Sequence, residues 1–136
     1  IPALGHSNFK IEDGTMEFGV GHHGEAGTKV EKLKSASEMA QEMAETILND
    51  FDFEEGKEVA VMLSGLGATP VMELYVLYDE VEKVLAKAGH KVWKTYIGNY
   101  VTSLDMNGAS LTIVDLDDEI KELLSEPAVP IGMKNY

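Results

Sequence analysis

The chain has 136 residues, 44% of them hydrophobic, enough for one domain with a buried core and with no low-complexity tract or solenoid repeat. A formal charge of −13, from 24 acidic and 11 basic side chains, repels phosphate backbones and anionic lipid, which disfavours nucleic-acid and membrane-surface binding. The absence of cysteine excludes disulfides, thiolate zinc sites and a thiol nucleophile. No apolar run reaches the roughly 18 residues that span a bilayer. No signal peptide is visible, and a cytoplasmic setting is expected.

The opening segment, IPALGHSNFKI, lacks an initiator Met and soon enters patterned sequence. It reads as part of a longer polypeptide, with a trimmed N-terminus as the alternative. TMEFGVG (15–21) places Met16, Phe18 and Val20 on alternate positions, the period of a half-buried strand. It runs into GVGHHGEAG (19–27), where two of the four histidines stand among glycines. SASEMAQEMAETILNDF (35–51) predicts an amphipathic helix with Met39, Met43, Ile47 and Phe51 in a row and Ala40, Ala44 and Leu48 beside it. Ser35 and Glu38 have the spacing of a capping box.

KEVAVMLSG (57–65) is a continuous apolar run, as expected of a strand covered on both faces, and ends in SGLGATP. Thr69 then suits an N-cap and Pro70 a first helical position. The helix over 70–88 carries Val71, Leu74, Leu77, Tyr78, Val81, Val84 and Leu85, with Gly89 placed to end it. HKVWKTYIG (90–98) and ASLTIVDL (109–116) read as strands. Asp117 suits the cap of a last short helix to about Leu124, and EPAVPIGMKNY reads as an irregular tail. The order implies an α/β fold, a mixed and mostly parallel sheet flanked by helices in a single domain. Glycine-rich loops 19–27 and 64–69 and the 98–108 connection all follow strands, where such sheets gather ligands.

SGLGATP has the strand–glycine–helix order of an anion loop, but no Lys and no third glycine of a dinucleotide fingerprint. A tight structural turn and a phosphate or substrate contact both remain open. The 98–108 loop carries Thr102, Ser103 and Asp105 without a histidine at triad spacing, and reads as a polar loop bonded to itself. His6 and His90 read as surface residues. Adjacent His22 and His23 diverge on an extended chain and Glu25 alone does not complete a ligand set, so no metal site is expected. A single imidazole in this loop remains as reactive base or nucleophile, or as part of a structural turn.

Three stretches in series resemble the substrate-binding K subunit of the dihydroxyacetone kinase family. GVGHHGEAG is similar to the family's G-x-G-I-H-G-E-P-G, and LSGLGATPVMELY to N-G-L-G-x-T-P-x-x-E-L-Y. IGNYVTSLDMNGASLTI resembles G-x-x-x-T-S-L-D-M-x-G-x-S-x-T, and the opening segment resembles P-x-x-G-x-P-x-F. The resemblance covers nearly the whole chain. It implies that His23 bonds covalently to the ketone carbon of dihydroxyacetone as a hemiaminal, with Gly21, Gly24 and Glu25 forming the substrate loop. His22 stands where the family has Ile, Ala26 where it has Pro, and Ser7 where the opening motif has Pro, departures that bear on loop rigidity and sugar preference.

A neutral imidazole nitrogen adds to a carbonyl but not to an alcohol, so such a bond would select ketoses over glycerol. The resemblance further implies that this chain needs no cofactor of its own. ATP or ADP with Mg²⁺ would sit on a separate L subunit or domain, and the K subunit would be a homodimer. The match is to the C-terminal half of the K subunit, so residues 1–136 are expected to be its C-terminal α/β domain, inactive alone. Some paralogues of the K subunit are co-activators that sense the ligand and regulate transcription, the alternative function.

Overall fold

A computed structural model describes residues 3–7, 10–54 and 56–135. Pro2 and Phe9 of the opening motif and Tyr136 of the tail lie outside the described residues. The chain divides into two compact units, residues 1–35 and 36–136.

The first unit is built on a hairpin of β1 (Thr15–Phe18) and β2 (Lys29–Lys32), antiparallel with Phe18 opposite Lys29. The strand expected to continue to Val20 stops at Phe18 because Gly19 turns the chain at φ +77. β2 has no counterpart among the sequence-based expectations. Three of its four residues are charged and Val30, the apolar one, is 66% exposed, so no apolar alternation announces it. Its place comes from pairing with β1, with the Lys29 ammonium 5.5 Å from the ring centre of the facing Phe18.

The second unit is the α/β body: α1 (Ala36–Asp50), β3 (Glu58–Gly65), α2 (Val71–Lys87), β4 (Lys91–Gly98), β5 (Ala109–Asp115) and α3 (Asp118–Ser125). Its sheet runs β4-β3-β5. β3 pairs parallel with β4 and antiparallel with β5, so the sheet is mixed, with one pairing of each kind rather than a parallel majority. Central β3 is buried along most of its length, as its apolar run predicts. Val59, Val61 and Leu63 join Leu74, Val81 and Leu85 of α2 in the core. Each such side chain removed from water contributes about 1.5–3 kcal/mol.

On α1 the deepest positions are Ala40 and Ala44, not the expected Met39–Phe51 row. Met39 and Met43 flank the core, and Phe51 lies past the helix end, 57% exposed. Two alanines on the contact face let α1 approach α2 closely, with the longer side chains spread to either side.

The end of α2 follows from Gly89. At φ +88 it donates to Ala86 O at 3.1 Å, and the next amide, His90, donates to Leu85 O at 2.9 Å, a Schellman closure. The residue after such a glycine is drawn onto the helix's last apolar turn. His90, expected at the surface, is therefore buried, its ring set edge-on to Phe53 with centres 5.6 Å apart. Asp117 caps α3 as expected, accepting from the Ile120 amide at 2.7 Å. The tail is less irregular than its composition suggests. Ala128 and Asn135 exchange backbone bonds, and the Asn135 amide group donates to Leu124 O and Glu126 O at the end of α3. The Lys94 ammonium reaches the same Leu124 carbonyl at 2.7 Å, a cation at a helix C-terminus.

Candidate functional site

The loop between β1 and β2 brings Gly21, His23, Gly24 and Glu25 into one tight turn. The Thr28 amide bonds Phe18 O at 2.7 Å and carries the hairpin ladder into the base of the loop. Glu17 Oε1 accepts the Gly27 amide at 2.7 Å, and a Cβ at Gly27 would meet Phe18 O at 2.7 Å, so the base closes only on glycine. At the tip, the Gly21 amide donates to Glu25 O and the Gly24 amide to Gly21 O, at 3.0 and 3.2 Å. Gly24 holds φ +93, which a side chain after His23 would strain. The His23 side chain is 91% exposed and its amide donates to Glu25 Oε2 at 3.1 Å. The loop thus offers a small solute the His23 imidazole with glycine on its C-terminal side. His22 is also exposed. Among the described residues no group of three or more His, Asp or Glu is placed to hold a metal ion.

In the second unit the two remaining glycine-rich loops interlock at the C-terminal ends of the parallel strands β3 and β4. The Leu66 amide donates to Gly108 O and the Met106 amide to Leu66 O, both at 3.1 Å, and the Ala68 amide donates to Met106 O. The Gly67 amide donates to Asn99 Oδ1 at 3.3 Å. These bonds bear on the two readings of SGLGATP. The amides at 66, 67 and 68 that an anion would need are already taken by the 99–108 loop, which favours the structural turn. Thr69 is not the N-cap either. Pro70 occupies that position without a side-chain cap, while the Thr69 hydroxyl both donates to Gly108 O and accepts the Gly108 amide at 2.8 Å. Two bonds to the facing loop outcompete one to its own helix.

Ser64 is the residue that sequence reasoning missed. It is 1% exposed, and its hydroxyl accepts the Tyr100 and Val101 amides at 2.9 and 3.1 Å. A buried hydroxyl at the end of an apolar strand was the available signal. Ser64→Ala should cost about 1–3 kcal/mol, since both amides lose their acceptor, a buried hydroxyl. Urea unfolding checks this, and a loss below about 0.5 kcal/mol, the size of an ordinary surface change, would remove Ser64 from the account.

The comparisons with known proteins bear on these loops. Residues 1–131 match the model of the Dak1 domain. The chain belongs to the Dak1 family. It is 38% identical over 127 residues to the PTS-dependent dihydroxyacetone kinase 2, dihydroxyacetone-binding subunit DhaK, of Listeria innocua, an alignment that covers 93% of this chain and 38% of that protein. It is also 38% identical over 128 residues to the D-erythrulose kinase of Mycolicibacterium smegmatis, covering 94% of this chain and 22% of that one. The solved structure of the dihydroxyacetone kinase operon co-activator Dha-DhaQ superposes with a TM-score of 0.83 at 30% identity, over 90% of this chain and 38% of that chain. This Dak1 chain therefore spans well under half the length of these relatives. No helix among the described residues is long and apolar enough to cross a membrane.

Proposed function

We propose that this Dak1 chain binds dihydroxyacetone, or a related short ketose, through a hemiaminal between His23 and the ketone carbon, and presents it for phosphorylation. The observation that carries the reading is the exposed His23 imidazole in a glycine loop, within a chain similar to a dihydroxyacetone-binding subunit. Gly21 and Gly24 leave the imidazole approachable and Glu25 completes the substrate loop. The bond needs a carbonyl, so glycerol is refused by chemistry rather than by fit. Once held, the ketose has a terminal hydroxyl in a set position for attack on a phosphoryl donor. Erythrulose offers the same ketone beside a hydroxymethyl group, and one relative is named for it.

The SGLGATP loop does not fit a nucleotide. Its strand-end amides are spent on the 99–108 loop, and SGLGATP holds no Lys to meet a phosphate. ATP or ADP with Mg²⁺ is therefore assigned to a partner L subunit or domain, where it would supply the phosphoryl group and neutralise its charge. This reading makes residues 1–136 the C-terminal α/β domain of a cytoplasmic K-type subunit, unable to transfer phosphate alone, in a homodimer. Support for protein partners comes from Met72, Tyr75, Val76 and Leu104, all more than half exposed on α2 and the 99–108 loop.

The test is carbon NMR of the chain with dihydroxyacetone labelled at the carbonyl carbon. A protein-bound tetrahedral carbon, distinct from the free ketone and its hydrate, is expected, and labelled glycerol should give no bound signal. Equal binding of glycerol, or no bound tetrahedral carbon, overturns the reading. A second reading, a ligand-sensing co-activator that regulates transcription, is favoured by the match to the co-activator structure. It shares the ketose bond but predicts no L subunit bound to the liganded chain.

A further inference from the structure

Glu25 holds two positions at once. Its Oε2 accepts the His23 amide at 3.1 Å, and its Oε1 lies 3.7 Å from His23 Nδ1. The turn keeps it there through the Gly21–Glu25 and Gly24–Gly21 backbone bonds. The room for its carboxylate comes from Gly21, where a Cβ would stand 2.7 Å from Glu25 Cβ and 2.8 Å from its carboxyl carbon. Gly21 is thus kept bare by Glu25, a role that needs no contact with a ligand.

An ionised carboxylate only accepts hydrogen bonds. One that faces Nδ1 favours the ring form carrying its hydrogen there, which leaves the lone pair on Nε2. We infer that Glu25 is a positioning residue that sets the His23 tautomer, so that Nε2 is the nitrogen presented to the ketose. The inference rests on the reading of His23 as nucleophile. In the step it serves, the Nε2 lone pair forms the bond to the carbonyl carbon while the C=O π pair moves to oxygen. That oxygen takes a proton from solvent, and the Nδ1 proton leaves to solvent. Between those events the ring is cationic, and the adjacent carboxylate stabilises it. No oxidant or reductant is needed.

Glu25→Gln separates this role from simple loop support. The amide is isosteric, and its oxygen keeps the bond to the His23 amide, but its NH₂ then faces Nδ1 and favours hydrogen on Nε2 instead. Nitrogen NMR of the labelled His23 ring, without ketose and at a pH where the imidazole is neutral, should show Nδ1–H dominant in the native chain and a shift toward Nε2–H in Glu25→Gln. Adduct formation should slow roughly tenfold in the same variant, a change of about 1.4 kcal/mol in the barrier, because less of the ring carries its lone pair on Nε2. An unchanged tautomer in Glu25→Gln overturns the inference. Loss of the adduct in the native chain instead overturns the nucleophile, so the two failures are distinguishable.

Discussion

His23→Ala should abolish the protein-bound carbon signal from labelled dihydroxyacetone, a loss of at least about a hundredfold in adduct, because the substitution removes the nitrogen that bonds the ketone carbon. His22→Ala should leave the signal within about threefold, as expected for a side chain that neither bonds the substrate nor enters the core. The contrast between the two adjacent positions follows from the turn. Gly24, at φ +93, follows His23 directly, and the Glu25 carboxylate lies against the His23 amide and ring, so the loop is organised around that imidazole. Both histidines are exposed, so neither substitution opens a cavity, and a lost signal reports chemistry rather than unfolding. A bound tetrahedral carbon that persists in His23→Ala would assign the bond to another group and refute the proposed site.

How far the fold could be read in advance depended on what sets each element. α2 was legible at its end because Gly89 allows a left-handed closure, and α3 at its start because Asp117 supplies an acceptor its first turn lacks. β3 was legible because a strand buried on both faces has little choice but to be apolar throughout. β2 was not, since its four residues are held by what lies opposite them in β1 rather than by their own pattern. The centring of α1 on Ala40 and Ala44 was hidden for the same reason: the partner helix decides how close two helices come. Thr69 was misassigned because its hydroxyl had two possible destinations, and the facing one, Gly108, is 39 residues away in the chain. His23 was found through the resemblance of its loop to a family motif, whereas the arrangement of Gly21 around the Glu25 carboxylate needed coordinates.

Gly67→Ala should destabilise the second unit by about 3–5 kcal/mol, the range reserved for backbone strain combined with a clash that cannot relax. Gly67 holds φ +106, and a Cβ there would stand 2.5 Å from Ser103 O and 3.1 Å from both Leu104 C and O. Those atoms are backbone, so no rotamer change relieves the contact and the 103–104 segment must move. Movement there strains the bonds that join the loops: Leu66 with Met106, Ala68 with Met106, and Gly67 with Asn99 Oδ1. Gly56→Ala is the matching control. It has a similar φ of +81, and an added Cβ would find nothing within 4 Å, so it should cost only the conformational penalty of about 1–2 kcal/mol. A domain of this size has about 5–15 kcal/mol in total, so Gly67→Ala should lower the urea midpoint far more than Gly56→Ala. Equal midpoints would mean that the interlocked loops yield easily, and that β3 and β4 do not depend on them.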